Sequence, residues 1–468
     1  MIPGILAIDQ GTHASRATLY DLSGNALESV EKEIALNRIS ETEIEQDPDE
    51  ILVSVKTVFQ KILKNNPEKV NIQGIGIATQ RSSLIAWNKA GNALSPVISW
   101  QDRRTRNEIQ NIKLLNPDIE SVVRRKTGLP LSPHYGASKF HWLLKHNVEV
   151  QKAVAVNNLR LGPLVSFLMY NLLDGQPFQV DHANASRTLL WNMETGEWDE
   201  DLLRLFGIDK KLLPKCKPVL ADYGNWAGIP VKAVSGDQNA AVFSEGIPGE
   251  DMAIINIGSG AFILKPTESF IPHEKLLSGI SCTDHHKMYY TLEGTVNGAA
   301  TAINWAKEKI QENIDLDSAI KSSKTPILFI NTVGGLGSPL WKSGPEPYWL
   351  DEPKTPEEAL AAVAESIVFL LKMNLEEIQK TGQKIERSRV SGGLSQSDAL
   401  CQKLSDLFSI TLTRSAQTEA TSRGIAFLAA NMPEGWLKSP VRTFFPSKEI
   451  NAQFEARYRK FYEIILSI

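Results

Sequence analysis

The chain has 468 residues, of which 42% are hydrophobic and 22% are charged, and this length predicts two or three globular domains. The 50 lysines and arginines nearly balance the 54 aspartates and glutamates, which excludes a broad basic surface for nucleic acid. Three cysteines are too few to cross-link such a chain, and no apolar run approaches the ~20 residues of a membrane span. We therefore expect a soluble cytoplasmic protein that binds neither nucleic acid nor a membrane.

In chain order, short strands come first and a helix follows from residue 48. Asp47 is a suitable N-cap, Pro48 suits the first helical position, and Glu50 would complete a capping box. Strand groups that alternate with crossover helices are typical of an α/β protein. The predicted strands of this region lie at residues 5–8, 17–20, 72–78, 84–87 and 97–100.

A pattern of strand, glycine turn and strand occurs twice in the chain. Residues 5–20 carry the first copy and residues 253–264 the second, and in each copy the turn holds a glycine and a hydroxyl residue. Pro248-Gly249 is a plausible boundary just before the second copy. We predict two related halves, residues 1–247 and residues 248–468.

The two glycine turns are candidate phosphate sites. Glycine lets the backbone approach an anion, and Thr12, Ser15 and Arg16 add donors to the first turn. Asp9, at the end of the preceding strand, is placed to hold Mg²⁺ through water. The first turn alone could equally be an ordinary tight turn, but a second one, Gly258-Ser-Gly260, favours a polyphosphate held from both sides.

Three further positions could serve a ligand. Asp237, before an apolar helix predicted at residues 240–243, could take a proton from an alcohol or could simply cap that helix. Arg81, at a strand end, could bind hydroxyls or lie solvated on the surface. Gly392-Gly393 could let a ring or a phosphate lie against the backbone, although Gly-Gly is also a routine turn.

The second half predicts one long helix and one long loop. The helix begins after Thr355 and has Gly382 as its expected C-cap, and the loop covers residues 336–348.

Other functional motifs are absent from the sequence. It contains neither a Walker-type phosphate loop nor a complete dinucleotide fingerprint, and it lacks the nucleophile elbow of hydrolases. Residues 282–286, Cys-Thr-Asp-His-His, have no second cluster at ligand spacing, which argues against a metal site there.

Over nearly its whole length the chain resembles the FGGY carbohydrate kinases, and within that family most of all the glycerol kinase-like members. The resemblance is carried by motifs in family order: Asp9-Gln-Gly-Thr12 with Arg16, Gln80-Arg81, Trp100-Gln-Asp-Arg-Arg-Thr105, Asn184-Ala-Ser-Arg-Thr188, Gly236-Asp-Gln238, Gly258-Ser-Gly260, Leu292-Glu-Gly294, Gly335-Leu-Gly337 and Gly392-Gly393. It implies a two-lobed actin-like ATPase fold, with a ribonuclease H-like α/β unit in each lobe. The lobes would close over ATP and a small polyol or sugar.

The resemblance also implies roles for individual residues. Asp237 would be the general base, and Arg81 and Gln238 would grip other hydroxyls of the substrate. The lobe of residues 1–247 would bind the sugar or polyol, and that of residues 248–468 would bind ATP. The phosphates would contact Thr12, Arg16 and Ser259, Mg²⁺ would be held by Asp9, and the remaining nucleotide contacts would fall to Ala300, Asn304, Gly393 and Ser397.

Two positions depart from the glycerol kinase pattern and leave the substrate open. Ser82 stands where glycerol kinases have a glutamate that binds a glycerol hydroxyl, and His134 aligns with an aromatic residue of their pocket, usually tyrosine. Because a neutral hydroxyl replaces a strong acceptor, substrate choice is expected to change. The loop after Gly337 is also shorter than the family pattern.

The resulting hypothesis is ATP-dependent phosphorylation of a primary hydroxyl on a small polyol or sugar. Alternatives are a ketose or pentitol kinase of the same family, a non-kinase actin-like ATPase, and a member that binds sugar without phosphorylating it. The sequence leaves open whether the protein forms homo-oligomers and whether it is regulated allosterically.

Overall fold

A computed structural model of the chain describes residues 2–66, 70–284, 286–416, 419–436, 438–439, 441–447 and 451–468. In the first half, strands and helices alternate. They are β1 (Ile2–Gln10), β2 (Ala14–Asp21), β3 (Ala26–Glu33), β4 (Asn37–Arg38), β5 (Ile44–Gln46), α1 (Pro48–Asn65), β6 (Val70–Thr79), β7 (Leu84–Asn88), β8 (Val97–Ile98), α2 (Arg106–Leu115), α3 (Ile119–Thr127), α4 (Gly136–His146), α5 (Val148–Ala155), β9 (Leu159–Pro163), α6 (Leu164–Leu172), β10 (Gln179–Asp181), α7 (His182–Ser186), β11 (Trp191–Asn192), β12 (Glu197–Trp198), α8 (Glu200–Leu205), β13 (Lys215–Lys217), β14 (Asn225–Trp226), β15 (Ile229–Gly236) and α9 (Asp237–Ala241).

The second half contains a further set of strands and longer helices. They are β16 (Met252–Ile257), β17 (Ala261–Thr267), β18 (Leu277–Thr283), β19 (Met288–Val296), α10 (Ala300–Ile310), α11 (Leu316–Ser322), β20 (Phe329–Ile330), β21 (Tyr348–Trp349), α12 (Pro356–Gln379), β22 (Arg387–Ser391), α13 (Asp398–Phe408), β23 (Thr411–Ser415), α14 (Ala420–Ala429), β24 (Val441–Phe444) and α15 (Asn451–Ser467). Short 3₁₀ helices cover Lys210–Leu212 and Gly393–Gln396.

Each half is built on one large mixed sheet, and the two sheets share a topology. The first has the order β14-β15-β6-β1-β2-β3 and the second β18-β19-β17-β16-β22-β23-β24. In each sheet an antiparallel hairpin, β1–β2 or β16–β17, is followed across the sheet by two parallel strands, β6 and β15 or β22 and β23. The repeat found in the sequence is therefore a duplicated α/β unit, as predicted.

Helix α1 illustrates how local sequence forms these elements. The Asp47 carboxylate accepts hydrogen bonds from the backbone N–H groups of Asp49 (2.8 Å) and Glu50 (3.4 Å), an N-cap worth about 1 kcal/mol. The predicted capping box is wrong, because the Glu50 carboxylate accepts from the Ala35 N–H at 3.2 Å. Ile51, together with the other apolar residues on one face of the helix, is buried in the core beneath the first sheet.

The two halves share a buried layer close to the carboxyl ends of the first sheet. Helix α14, from the second half, packs against β1, β6, β15 and α9. Small residues allow this close approach, since a Cβ on Gly424 would lie 1.9 Å from the Ala240 carbonyl oxygen and one on Gly76 would lie 2.6 Å from that of Ile425. Helix α14 thus holds the first sheet against the second half.

Several predicted boundaries shift. Helix α12 ends at Gln379 with Lys380 as its C-cap. Gly382, the predicted C-cap, lies two residues further on and has a left-handed backbone (φ 83°). The strand expected at residues 97–100 is confined to Val97–Ile98. Residues 336–347 form the predicted long loop, without helix or strand. Among the helices of the described segments, none is long and apolar enough to cross a membrane.

Candidate active site

The first sheet brings three predicted site residues to one edge. Strands β1, β6 and β15 run parallel, and Asp9 pairs with Ala78, which pairs with Ser235 on its other side. Asp237 follows Ser235 by two residues, and Arg81 follows Ala78 by three. Because the carboxyl ends of neighbouring parallel strands form the ligand crevice of an open sheet, these side chains face a common site.

Asp237 is the first residue of α9, and the N-cap position belongs to Gly236. The alternative that Asp237 caps this helix is therefore wrong. Its carboxylate accepts a hydrogen bond from the Gln238 N–H at 2.7 Å and lies 3.7 Å from Arg81 Nε. A Cβ on Gly236 would meet the Arg81 side chain at 2.6 Å, so the glycine lets Arg81 lie across the strand end beside the carboxylate.

The two acids of the site carry shifted pKa values. Burial, followed by the charge of Asp237, raises the pKa of Asp9 to about 7. Burial also raises the pKa of Asp237, and the neighbouring Arg81 opposes that shift. A carboxylate with a raised pKa beside a cleft is a better proton acceptor than a solvated one, so both groups are suited to functional chemistry.

A further group of residues completes the pocket from both halves. Arg81 donates to Gln238 Oε1 and, at 3.4 Å, to Asn239 Oδ1, and its Nη1 lies 3.4 Å from Glu293 Oε2. Arg187 Nη1 reaches the same Glu293 oxygen at 3.7 Å. The sequence by itself predicts no role for Glu293, Arg187 or Asn239. Glu293 and Arg187 lie inside two of the family motifs, and Asn239 directly follows a third. Membership of these motifs is the sequence feature that could have pointed to a role in the site.

The two positions that depart from the glycerol kinase pattern lie in this pocket. Ser82 is buried with a left-handed backbone (φ 63°), and its Oγ has no hydrogen-bond partner in the described part of the chain. The His134 ring packs edge-on against Trp100 (5.8 Å between centroids) and Tyr135 (4.8 Å). Burial and nearby cations, Arg103 first, hold the pKa of His134 well below its usual value, so the ring is neutral.

The first glycine turn, predicted to bind phosphate, lies between β1 and β2. The Gly11 N–H donates to the Ala14 carbonyl at 2.9 Å, which closes the turn. The Thr12 hydroxyl oxygen accepts from the Trp100 indole N–H at 3.0 Å. Arg16, predicted to hold phosphate, forms ion pairs with Glu31 and Glu419. To bind a phosphate, its guanidinium would have to contact the phosphate in addition to these two glutamates or in place of one of them.

The second glycine turn, predicted to bind phosphate, lies between β16 and β17, next to the start of helix α10. The Gly258 N–H donates to the Gly260 carbonyl at 2.9 Å. The Ser259 carbonyl accepts from the N–H groups of Ala299 (3.0 Å) and Thr301 (3.2 Å). Ala300, which opens α10, is half-buried beside this turn, and Asn304 is exposed one helical turn further on. The turn thus borders the positive end of a helix, which favours anions.

The third glycine site follows strand β22. Gly392 is left-handed (φ 92°), and a Cβ there would lie 2.6 Å from the Ile257 carbonyl oxygen, whereas a Cβ on Gly393 would have nothing within 4 Å. Gly393 therefore faces open space, as a residue against an adenosine would. Ser397 N-caps α13 by accepting from the Leu400 N–H (3.1 Å), and its hydroxyl donates to Asp317.

The residue predicted to hold a metal ion is Asp9, and Asp237 is the acid beside it that could also face such an ion. Among the described residues, no three histidine, cysteine or acidic side chains come together as a metal site. Mg²⁺ commonly uses one or two carboxylates, keeps several waters and takes its other ligands from phosphates. Burial and then the charge of Asp237 raise the pKa of Asp9, so a cation beside the two acids would offset their repulsion. At residues 282–286, Cys282 is buried, and His285 lies outside the described residues.

Two duplicated α/β lobes with a glycine turn at equivalent places define a two-lobed actin-like ATPase fold. Family models agree: the N-terminal domain of the FGGY family of carbohydrate kinases matches residues 4–244, and the C-terminal domain matches residues 253–432. The chain belongs to the FGGY family of carbohydrate kinases. It is an ATP-dependent carbohydrate or polyol kinase, which removes the non-kinase alternative.

Similar proteins are numerous. A glycerol kinase of Rippkaea orientalis is 31% identical over 442 residues, covering 90% of this chain and 88% of its own. A glycerol kinase of Geobacter sp. strain M21 is 32% identical over 447 residues, covering 91% and 89%. The crystal structure of Plasmodium falciparum glycerol kinase with ADP has a TM-score of 0.91 at 24% identity and covers 99% of this chain and 98% of its own.

Proposed function

We propose that the protein transfers the γ-phosphoryl group of ATP to a primary hydroxyl of a small polyol or sugar, with Asp237 as general base. The observation that carries the proposal is the grouping of Asp9, Arg81 and Asp237 at the carboxyl ends of three parallel strands. The relatives named glycerol kinase make glycerol the first substrate to test.

In this reaction Asp237 takes the proton of the hydroxyl as its oxygen attacks the γ-phosphorus. The raised pKa of Asp237 strengthens it as a base, and Arg81, 3.7 Å away, keeps the ionised form accessible. Arg81 and Gln238, already joined by a hydrogen bond, present polar groups for the remaining hydroxyls. Positioning and electrostatics supply most of the rate enhancement in phosphoryl transfer.

The nucleotide would occupy the cleft between the two phosphate turns. Thr12, Arg16 and Ser259 would contact its phosphates, and Gly393 would lie against the adenosine, with Ala300, Asn304 and Ser397 nearby. Mg²⁺ would be held by Asp9, mainly through water, and would neutralise charge on the phosphates. On this proposal residues 1–247 form the sugar-binding lobe and residues 248–468 the ATP-binding lobe.

A ketose or pentitol kinase is the second candidate, and Ser82 favours it. The small Ser82 side chain, buried with an unpartnered hydroxyl, offers a hydrogen bond in place of the charge that a glutamate would bring. A polyol or sugar longer than glycerol would bring an additional hydroxyl to pair with it.

The test is a coupled ADP-release assay over glycerol, erythritol, dihydroxyacetone, ribulose, xylulose and ribitol. We expect at least one to stimulate ADP release, and Asp237→Asn to lower kcat by about 10²–10⁴-fold while ATP still binds. Asp351→Asn, at an exposed acid outside the site, is the matched control and should leave kcat unchanged. An active Asp237→Asn enzyme would remove Asp237 from the mechanism.

A further inference from the structure

Two hydrogen bonds fasten the first glycine turn to the pocket around Arg81 and Asp237, which we call the acceptor pocket. Both bonds end on Thr12. The Trp100 indole N–H donates to the Thr12 hydroxyl oxygen at 3.0 Å, and the Gln46 side-chain amide donates to the Thr12 carbonyl at 2.9 Å. The side chain and the backbone of the turn are therefore held separately, and the proposed function gives Trp100 no part in the reaction.

Both donors are anchored in turn to residues 80–83, which follow strand β6 and enter the acceptor pocket. The Trp100 backbone N–H donates to Ser83 Oγ at 3.0 Å, and Ser83 Oγ donates to Gln80 Oε1 at 3.1 Å. The Gln80 amide donates to Gln46 Oε1 at 2.8 Å. Together with the two bonds to the first turn, these contacts close a ring of hydrogen bonds.

The buried part of this ring is fully used. Gln46, Gln80 and Ser83 are each at most 2% exposed. Each glutamine uses both its side-chain oxygen and its nitrogen, and the Ser83 hydroxyl both accepts and donates. A satisfied network in a low-dielectric interior favours a single arrangement. Gln80 and Ser83 also flank Ser82, whose left-handed backbone (φ 63°) persists only where neighbouring contacts fix it. The ring therefore fixes the first turn relative to the acceptor pocket.

The indole bond determines how the Thr12 hydroxyl can donate. A threonine hydroxyl has one proton, which can rotate, and two lone pairs. Because an indole N–H is a donor only, Trp100 occupies a lone pair of the Thr12 oxygen and leaves the hydroxyl proton for another acceptor. A phosphate oxygen of a nucleotide at this turn is such an acceptor. Donors that are already oriented stabilise charge in a transition state without the cost of reorganisation.

We propose that Trp100 is a positioning residue for phosphoryl transfer, which orients the Thr12 hydroxyl towards the transferred group and fixes it relative to the acceptor pocket. This inference deepens the proposed kinase function and rests on it. Trp100 acts through Thr12 and needs no contact of its own with the phosphate. Its ring also packs edge-on against His134, with 5.8 Å between centroids, so the same side chain joins the pocket wall to the first turn.

The experiment is a double-mutant cycle of Trp100→Phe and Thr12→Val, measured with ATP and the best acceptor of the ADP-release assay. Phenylalanine keeps an aromatic ring beside His134 and removes the N–H donor. We expect each single variant to lower kcat about 10–100-fold and to change the KM for the acceptor less than about threefold. In the Thr12→Val background, Trp100→Phe should lower kcat less than about threefold further, because the group on which it acts is already absent. Trp349→Phe, which loses an indole bond to the Ala359 carbonyl (3.1 Å) outside the site, is the matched control and should leave kcat unchanged.

A second measurement reports the hydrogen bond without catalysis. In an NMR spectrum of the isotopically labelled protein without nucleotide, the indole N–H signal of Trp100 is the one that Trp100→Phe lacks. We expect this signal to move upfield in Thr12→Val, and its hydrogen exchange to become faster, because the acceptor oxygen has been removed. Retained ATP binding shows that each variant is folded.

Any of five results would overturn the proposal. If Trp100→Phe lowers kcat by the same factor in both backgrounds, Trp100 acts independently of Thr12. If it raises the KM for the acceptor and leaves kcat unchanged, the side chain is only a pocket wall. An indole signal that Thr12→Val does not move would mean that the two residues are not bonded. An unchanged kcat in Thr12→Val would also remove Thr12 from the proposed phosphate contacts, although the kinase function stands. If no acceptor stimulates ADP release by the unaltered protein, the proposed function fails as well.

Discussion

The turn after β1 and the turn after β16 occupy equivalent places in the two sheets, yet different groups surround them. Two residues before its first glycine, the first turn has Asp9 and the second has Asn256, whose amide donates to Ser391 at 3.1 Å. Behind the first turn lies a buried layer of three glutamine side chains, whereas the second is held by backbone N–H groups at the start of α10. The first turn thus supplies a side-chain charge, and the second supplies only amides and a helix end.

The difference suggests that the two turns would contribute different groups to the binding of one polyphosphate. On the proposed function, the first turn would provide a carboxylate for a metal ion through Asp9, while the second turn, next to the start of α10, has no acidic residue at the equivalent position and would contact the phosphates without a metal ligand. With a net charge of −4 over the chain, the protein lacks a general positive field, so binding of a triphosphate depends on these local groups.

The largest expected effect comes from giving the first turn the residue of the second. We expect Asp9→Asn to lower kcat on the order of 10³-fold, equivalent to about 4 kcal/mol, because the carboxylate proposed to orient the metal is lost. The measurement is kcat as a function of Mg²⁺ concentration. Asn256→Asp is the reciprocal variant and should not restore activity when combined with it. Activity within tenfold of wild type would show that the two turns are equivalent after all.

The second prediction concerns stability against pH without nucleotide. The pKa of Asp9 is raised from 3.8 to about 7, so the folded protein holds this proton over a range in which the unfolded chain has released it. The free energy of unfolding should therefore fall as pH rises from about 4 to about 7, by at most about 4 kcal/mol. Because the Asp9 side chain is only half-buried, solvent screening should make the actual loss smaller.

Asp9→Asn should remove this part of the pH dependence and be the more stable protein at pH 8. The check is the urea midpoint of both proteins between pH 4 and pH 8. Asp181, whose pKa burial raises to about 6, titrates in both, so the difference between the two curves reports Asp9 together with its electrostatic coupling to Asp237. Parallel curves would contradict the shifted pKa.

The third prediction compares how the two glycine turns are held in place, the first by buried glutamine side chains and the second by backbone hydrogen bonds. The Gln80 amide donates to the side-chain oxygens of Gln46 (2.8 Å) and Gln10 (3.3 Å), so Gln80→Leu leaves both buried oxygens unpaired and should cost about 2–3 kcal/mol. Ser259→Ala keeps the carbonyl that α10 uses and should cost less than about 0.5 kcal/mol. Urea unfolding of both variants is the measurement, and equal losses would mean that the two turns are supported alike.

The sequence predicted the duplicated α/β architecture and the motifs of the pocket because both depend on local patterns. Hydrophobic patterns located strands β1, β2, β6, β7, β8, β16 and β17, and turn glycines located all three glycine sites. The sequence did not predict the ion pairs of Arg81 and Arg187 with Glu293. These pairs join residues about 210 and about 100 positions apart, and local spacing carries no information about such contacts. The packing of α14 on the first sheet escaped prediction for the same reason.

Ser397 shows how a correct motif can leave a role undecided. The family pattern places it among nucleotide contacts, but its hydroxyl accepts from the Leu400 N–H and donates to Asp317. Both bonds serve the start of α13, so the side chain already has a structural use that an alignment of motifs cannot reveal.

The prediction with the smallest expected effect tests whether the Ser397 side chain serves only to cap α13, at the edge of the proposed nucleotide site. Ser397→Ala should cost about 1 kcal/mol of stability through loss of the N-cap, and Ser397→Asn, which can still cap, should restore most of it. We expect the KM for ATP to change less than threefold in both, because Gly393 and the turn at Gly258 would hold the nucleotide by backbone. A tenfold rise in KM with stability intact would instead make the Ser397 hydroxyl a direct ligand of ATP, and the second half would then bind nucleotide with side chains as well as amides.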